Sequence, residues 1–176
     1  TLMGGAIFSD HSNLIISTST FTNCSAGRGG AISSASGNTL TVEDSSSFTD
    51  CSATEYGGAI WAVGTATITS ATFVNCSGTG GGNGGAIWAG GVGRLTNIIS
   101  SSFTNCSAFK GGALYHNTGD LVISSSTFSN CSAEEGSDVN ADYRSIVFIR
   151  NSSFTNGSTD TKDDTIHTGT DSTVTI

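Results

Sequence analysis

Apolar residues along this chain alternate with single intervening residues in short runs instead of recurring every third or fourth position. Leu14/Ile16, Leu40/Val42, Ala66/Ile68, Leu121/Ile123 and Val147/Ile149 are such pairs, the mark of a strand with one face on a core. Within one stretch there are three strand-like pieces, "GGAIF" at Gly4, "LIIST" at Leu14 and "TFTNCS" at Thr20, separated by small polar residues. Ile7, Ile32, Ile60, Ile87 and Leu114 make the steadiest inward column of the first piece. No segment carries the 3.6-residue amphipathic period that a helical repeat of similar length requires.

The pattern recurs. Gly-Gly pairs begin at Gly4, Gly29, Gly57, Gly84 and Gly111, spaced by 25, 28, 27 and 27 residues, and a degenerate "GSDV" begins at Gly136. In step run Phe21, Phe48, Phe73, Phe103, Phe128 and Phe154, followed two places later by Asn23, Asp50, Asn75, Asn105, Asn130 and Asn156. Three short strands in ~27 residues describe one triangular coil, and stacked coils ~4.8 Å apart place like side chains on like. The expected fold is therefore all-β, a right-handed parallel β-helix of about six and a half coils of 25–30 residues, filling residues 1–176 as a single domain. "TIHTGTDSTVTI" from Thr165 reads as the first two strands of a seventh coil, and uncapped ends suggest a segment of a longer chain or a unit that stacks. Phe should fill the core as a ladder, Asn should reach the corner, and glycine should serve where φ is positive or backbones approach closely, so replacing Gly58 or Gly85 should destabilise.

Composition sharpens this picture. With 24 Gly, no Pro, abundant Ser and Thr and only 11% charged residues, little of the chain suits a helix. Six Lys plus Arg against fourteen Asp plus Glu give a formal charge of −8, which lacks the basic patch that nucleic acid demands. No apolar run approaches the ~20 residues needed to span a bilayer.

Five GGA[IL] matches, "GGAI" at Gly4, Gly29, Gly57 and Gly84 and "GGAL" at Gly111, together with the Phe motif, resemble the GGA[ILV]/FxxN repeats of the polymorphic outer-membrane proteins of chlamydiae and similar microbial cell-surface repeats. The likeness covers nearly the whole chain. It departs from the family in that Cys24 stands at the fourth place of Phe21-Thr22-Asn23-Cys24 and Asn comes one place earlier. The resemblance implies a parallel β-helix passenger at the cell surface, associated with adhesion.

Several columns are candidates for chemistry. Cys24, Cys51, Cys76, Cys106 and Cys131 share one column; without a CxxC pair they do not suggest a metal site, and they read either as buried thiols or as disulfides between adjacent coils. N-C-S occurs at Asn23, Asn75, Asn105 and Asn130, where Asn reads as a buried corner residue or as a glycosylation acceptor; Asn151 and Asn156, in the least regular coil, are the better acceptors. Beside the inward Ile column lies an outward one with Phe8, Ser33, Trp61, Trp88 and Tyr115, whose rings form a binding face unless loops cover them or they belong to the core. The Ser/Thr runs before each Phe, at Ser17, Ser45, Ser100 and Ser124, read as a solvated outer face.

Carboxylates do not converge in the sequence: Asp10, Asp50, Asp120, Asp138 and Asp142 fall in different columns, and the pair Asp163-Asp164 beside Lys162 lies in a loop. His11, His116 and His167 read as surface residues, the latter two on one first-strand face. These features favour a non-catalytic extracellular or cell-surface protein without cofactor or metal, an adhesin stalk or filament subunit. Its partners would be further copies end to end, or a glycan or protein of a cell surface. The alternative is a polysaccharide-binding or polysaccharide-cleaving module built on the irregular segment 134–143, with Asp138 and Asp142 as its carboxylates.

Overall fold

In a computed structural model, described for residues 2–159, 165–169 and 171–176, the first glycine of every pair and Gly136 take a left-handed φ between 60° and 75°. That conformation turns the chain into each new coil at little cost only for glycine. The second glycine is fixed by contact instead: a Cβ on Gly58 would overlap the carbonyl oxygen of Gly85 in the next coil and lie 2.7 Å from the Ser77 nitrogen. The two glycines therefore answer two separate demands.

The chain is an all-β parallel solenoid of about six turns, without a helix among the described residues. Three separate strands per coil were expected; instead, the first two fuse into single strands at Ile32–Glu43, Ile60–Thr69, Leu114–Ser124 and Val139–Arg150. They stay apart as Ile7–Ser9 with Leu14–Ser17 and as Ile87–Gly90 with Leu95–Ile99. Register shifts between Ser34 and Asn38 and between Asn117 and Gly119 absorb the unequal coil lengths, so pairing resumes beyond the bend. In the fourth coil the run Gly90 to Gly93, with φ of 148°, 142° and 67° at Gly90, Gly91 and Gly93, breaks the strand. A further short strand, unforeseen in the sequence, follows most cysteines, as at Ser25–Arg28, Ser52–Tyr56 and Ser132–Ala133.

Six Phe-centred strands, from Thr20–Thr22 to Ser153–Thr155, form one parallel sheet in which each Phe pairs with the next. Their rings stack with centroids 4.7–4.9 Å apart and planes within 9°. Phe48, Phe73, Phe103 and Phe128 are fully buried with Ile32, Ile60, Ile87, Leu114, Leu40, Ile68 and Leu121, as the alternation indicated. Each such side chain contributes roughly 1.5–3 kcal/mol on burial. Ile166–Thr168 and Thr173–Thr175 pair with the sixth coil as the first two strands of a seventh.

The corners correct two expectations. Asn23, Asn75, Asn105, Asn130 and Asn156 do turn the corner, with φ of 53–55°, but their side chains are exposed, not buried. Asn and Asp tolerate this left-handed turn, and the amides lie along the outside: Asn75 Nδ2 donates to Asp50 Oδ1 at 3.0 Å and Asn105 Nδ2 to Asn75 Oδ1 at 3.2 Å. The serine runs are not wholly a solvated face either. Ser46, Ser101 and Ser126 are buried, where Ala71 N donates to Ser101 Oγ, Ser101 N to Ser126 Oγ and Ser126 N to Ser152 Oγ at 3.1–3.2 Å. These hydroxyls satisfy backbone N–H groups that the bend takes out of the ladder.

All five cysteines are free; Cys24 is half-buried and the other four are buried. Hydrogen bonding to neighbouring thiols and burial push Cys51 and Cys106 up, so these thiols stay protonated. Cys51 Sγ donates to the Thr49 carbonyl at 3.6 Å.

Candidate functional site

The residue after each inward Ile or Leu must face outward, because successive side chains of a strand alternate. Registered pairing accordingly sets Phe8, Ser33, Trp61, Trp88, Tyr115, Asn140 and His167 one above another on the outer face. Trp61 and Trp88 have ring centroids 6.0 Å apart, and Trp88 and Tyr115 6.3 Å. The stripe is not a flat open platform. Phe8 is 48% exposed, but Trp88 and Tyr115 are only 9% and 6% exposed, with Tyr56 tilted over Trp88 at 5.7 Å.

A second column flanks the first, formed by the residues just before the glycine pairs: Arg28, Tyr56, Asn83, Lys110 and Glu135. Arg28 lies over the rings of Tyr56 and Trp61, 5.4 and 5.6 Å from their centroids, while its Nε donates to Glu55 Oε2 at 2.8 Å. On the other side stand Asn117, Thr118 and Tyr143. Between the two walls runs a groove of about 570 Å³ lined by Tyr56, Asn83, Trp88, Tyr115, Asn117, Thr118 and Tyr143. Its volume is in the range of small-molecule sites. Asn83 and Asn117 each bury Oδ1 without a hydrogen-bond partner, and Asn140, fully buried, has neither amide atom partnered.

Beyond Tyr115 the face becomes charged. Lys110 Nζ meets Glu135 Oε2 at 2.8 Å and Asp142 Oδ2 at 3.9 Å, and His167 Nε2 lies 3.7 Å from Glu135 Oε2. The hydrogen bond to Glu135 pushes the Lys110 ammonium up, so it stays charged. Burial first, and then Asp142, push the Tyr115 phenol up; it remains neutral and donates to Asp142 Oδ2 at 3.0 Å. This cluster escaped the sequence reading. The signal was the position of Lys110 and Glu135 immediately before their Gly residues, the same place that Arg28, Tyr56 and Asn83 occupy.

Asp138 and Asp142 do not form a pair. Asp138 takes the place of the buried Ala of GGA, is fully buried with Ser137 Oγ at 3.4 Å, and leaves Oδ1 without a partner; Asp142 lies on the outer face. Burial raises the Asp138 carboxyl to about 6. His116 and His167 also separate, contrary to expectation: His116 registers with inward Ala89 and Ala141, whereas His167 follows outward Asn140. His116 is fully buried, Nδ1 3.0 Å from Ser145 Oγ, and burial lowers it to about 4. His11 is on the surface, 2.7 Å from Asp10. Asn151 and Asn156 are exposed. Asp163, Asp164 and Lys162 lie outside the described residues, and among the described residues no group of three His, Cys, Asp or Glu could hold a metal ion.

Comparison with protein-family models, with curated proteins and with solved structures gave no significant match.

Proposed function

We propose that this protein is a non-catalytic structural module of the cell surface or extracellular space, part of an adhesin stalk or filament, whose outer face carries a recognition groove. The carrying observation is the placement of that groove: Tyr56, Trp88, Tyr115 and Tyr143 line a depression on the flank of a solenoid whose interior is built from continuous Phe and Ile ladders. The ladders make a stiff support, and the groove presents polar and aromatic groups sideways to whatever the rod passes. The GGA[IL] and Phe motifs, similar to those of microbial surface repeats, agree with this placement in the cell.

The main rival, a polysaccharide-cleaving module, needs two carboxylates divided into acid and base or nucleophile. Against it stands the burial of Asp138 among core residues, and the service of Asp142 and Glu135 to a single ammonium, Lys110. Surface location is tested by protease treatment of intact producing cells followed by detection of the chain. Loss of the chain from intact cells, or its presence in the medium, is the expected result; full protection until the cells are broken contradicts the proposal.

A further inference from the structure

We infer that the groove is a binding site for a neutral carbohydrate, a short oligosaccharide segment held between Tyr56, Trp88, Tyr115 and Tyr143; this rests on the reading of the groove as a recognition site. The unpartnered amides set the ligand's chemistry. Asn83 and Asn117 line the groove with buried Oδ1 atoms that have no donor. A buried acceptor without a partner costs roughly 1–3 kcal/mol. Both residues are themselves part-exposed, so a rotation of either amide brings its Oδ1 to the groove, where a ligand hydroxyl can donate to it and recover that cost. Hydroxyl groups both donate and accept, so a sugar satisfies either orientation of an amide.

The surroundings narrow the class further. An anionic ligand would approach a chain of formal charge −8, at a face where Glu135 and Asp142 stand close by. A cation finds those two carboxylates already engaged by Lys110. An extended peptide added as a strand needs free ladder groups, whereas the strands beneath the groove are paired on both sides, Ile87–Gly90 with Ile60–Thr69 and with Leu114–Ser124. A neutral polyol with an apolar C–H face fits what is left: the accessible rings of Tyr56 and Tyr143 for that face, above the nearly buried Trp88 and Tyr115, and amides for its hydroxyls.

The test is titration with a panel of neutral disaccharides, cellobiose, lactose, α-mannobiose and N,N′-diacetylchitobiose, followed by backbone amide NMR and tryptophan fluorescence. Two variants accompany the native protein: Asn117→Ala, and Tyr143→Asn, which keeps a residue tolerant of the left-handed turn at φ 51°. Tyr143 is 62% exposed, and circular dichroism of both variants is to be compared with that of the native protein, so that loss of binding is read only where the fold is retained. Expected are shifts of residues 83, 88, 115 and 117 with at least one sugar, and affinity reduced about tenfold or more in each variant. Sugar binding unchanged in both variants would place the ligand elsewhere and overturn the inference. So would the absence of binding across the panel, a result that leaves the protease test of surface location to stand on its own.

Discussion

The carboxylate of Asp138 lies against the position that a cysteine side chain occupies in the regular coils, and the residue at that position is Gly157. A Cβ on Gly157 would come within 2.8 Å of Asp138 Oδ2 and would overlap Ser137 Oγ. Two interruptions of the repeat, "GSD" in place of "GGA" and Gly in place of Cys, therefore meet at one point in the structure.

This relationship predicts a coupling. Gly157→Cys alone should destabilise the protein, whereas in a Ser137→Gly/Asp138→Ala background the same substitution should be tolerated or stabilising. Chemical denaturation of the four proteins gives the interaction energy, expected at about 1–3 kcal/mol. Additive effects would show that the two breaks are unrelated.

Asp138 and His116 should oppose one another in the pH dependence of stability. The folded Asp138 carboxyl, raised from 3.8 to about 6, contributes most below pH 4 and loses that contribution as pH rises through 6. His116, lowered from 6.5 to about 4, acts in reverse: its neutral form is compatible with the core above pH 6.5, and stability is lost as pH falls toward 4. Each effect is on the order of 3 kcal/mol. In the native protein the contributions of these two groups should thus nearly cancel between pH 4 and 6.5. Asp138→Asn should become less stable with acid, and His116→Ala, which copies Ala89 and Ala141 in its column, less stable with base. Parallel profiles for the three proteins would contradict the assignment.

Gly85→Ala should cost several kcal/mol. The added methyl would overlap the Gly112 carbonyl and lie 2.7 Å from both the nitrogen and the oxygen of Ser107, all of them backbone atoms. Gly37→Ala is a control for backbone conformation, with φ of 85° and nothing within 4 Å of its Cβ. Urea midpoints should separate the two variants clearly, with Gly85→Ala much the lower.

The thiols should react in two classes. Half-buried Cys24 should titrate with a water-soluble disulfide reagent in the native state, while Cys51, Cys76, Cys106 and Cys131 should react only on unfolding. Five thiols released at once without denaturant would mean that the cysteine column is open to solvent.

What could be read in the sequence was whatever repeats. The Phe column, the Ile column and the glycine pairs were legible because stacking at a constant spacing demands the same residue in every coil. The buried serines were misread because polarity suggests solvent, while a bend in a parallel coil strands N–H groups that only a small hydroxyl can reach. His116 and Asp138 were misplaced for a related reason: each replaces an Ala of an inward column, and burial follows the column, not the polarity of its occupant. The groove depends on two columns meeting across a glycine corner, so Tyr56 and Asn83 gave no sign of joining Trp88 until the corner was closed. The ion pairs of Lys110 with Glu135 and Asp142 arise from neighbouring coils, 25 and more residues apart in sequence.

Register-matched ladders bind the coils into one stack, tightest where a coil has neighbours on both sides. Residue-resolved native-state hydrogen exchange tests this most directly. Amides of the strands Ile60–Thr69, Leu95–Ile99 and Leu114–Ser124 should form one slowly exchanging class that opens only with global unfolding, while those of Ile7–Ser9 and Thr173–Thr175 should exchange far faster. Rapid exchange in the middle strands, at rates equal to those of the outer coils, would contradict it.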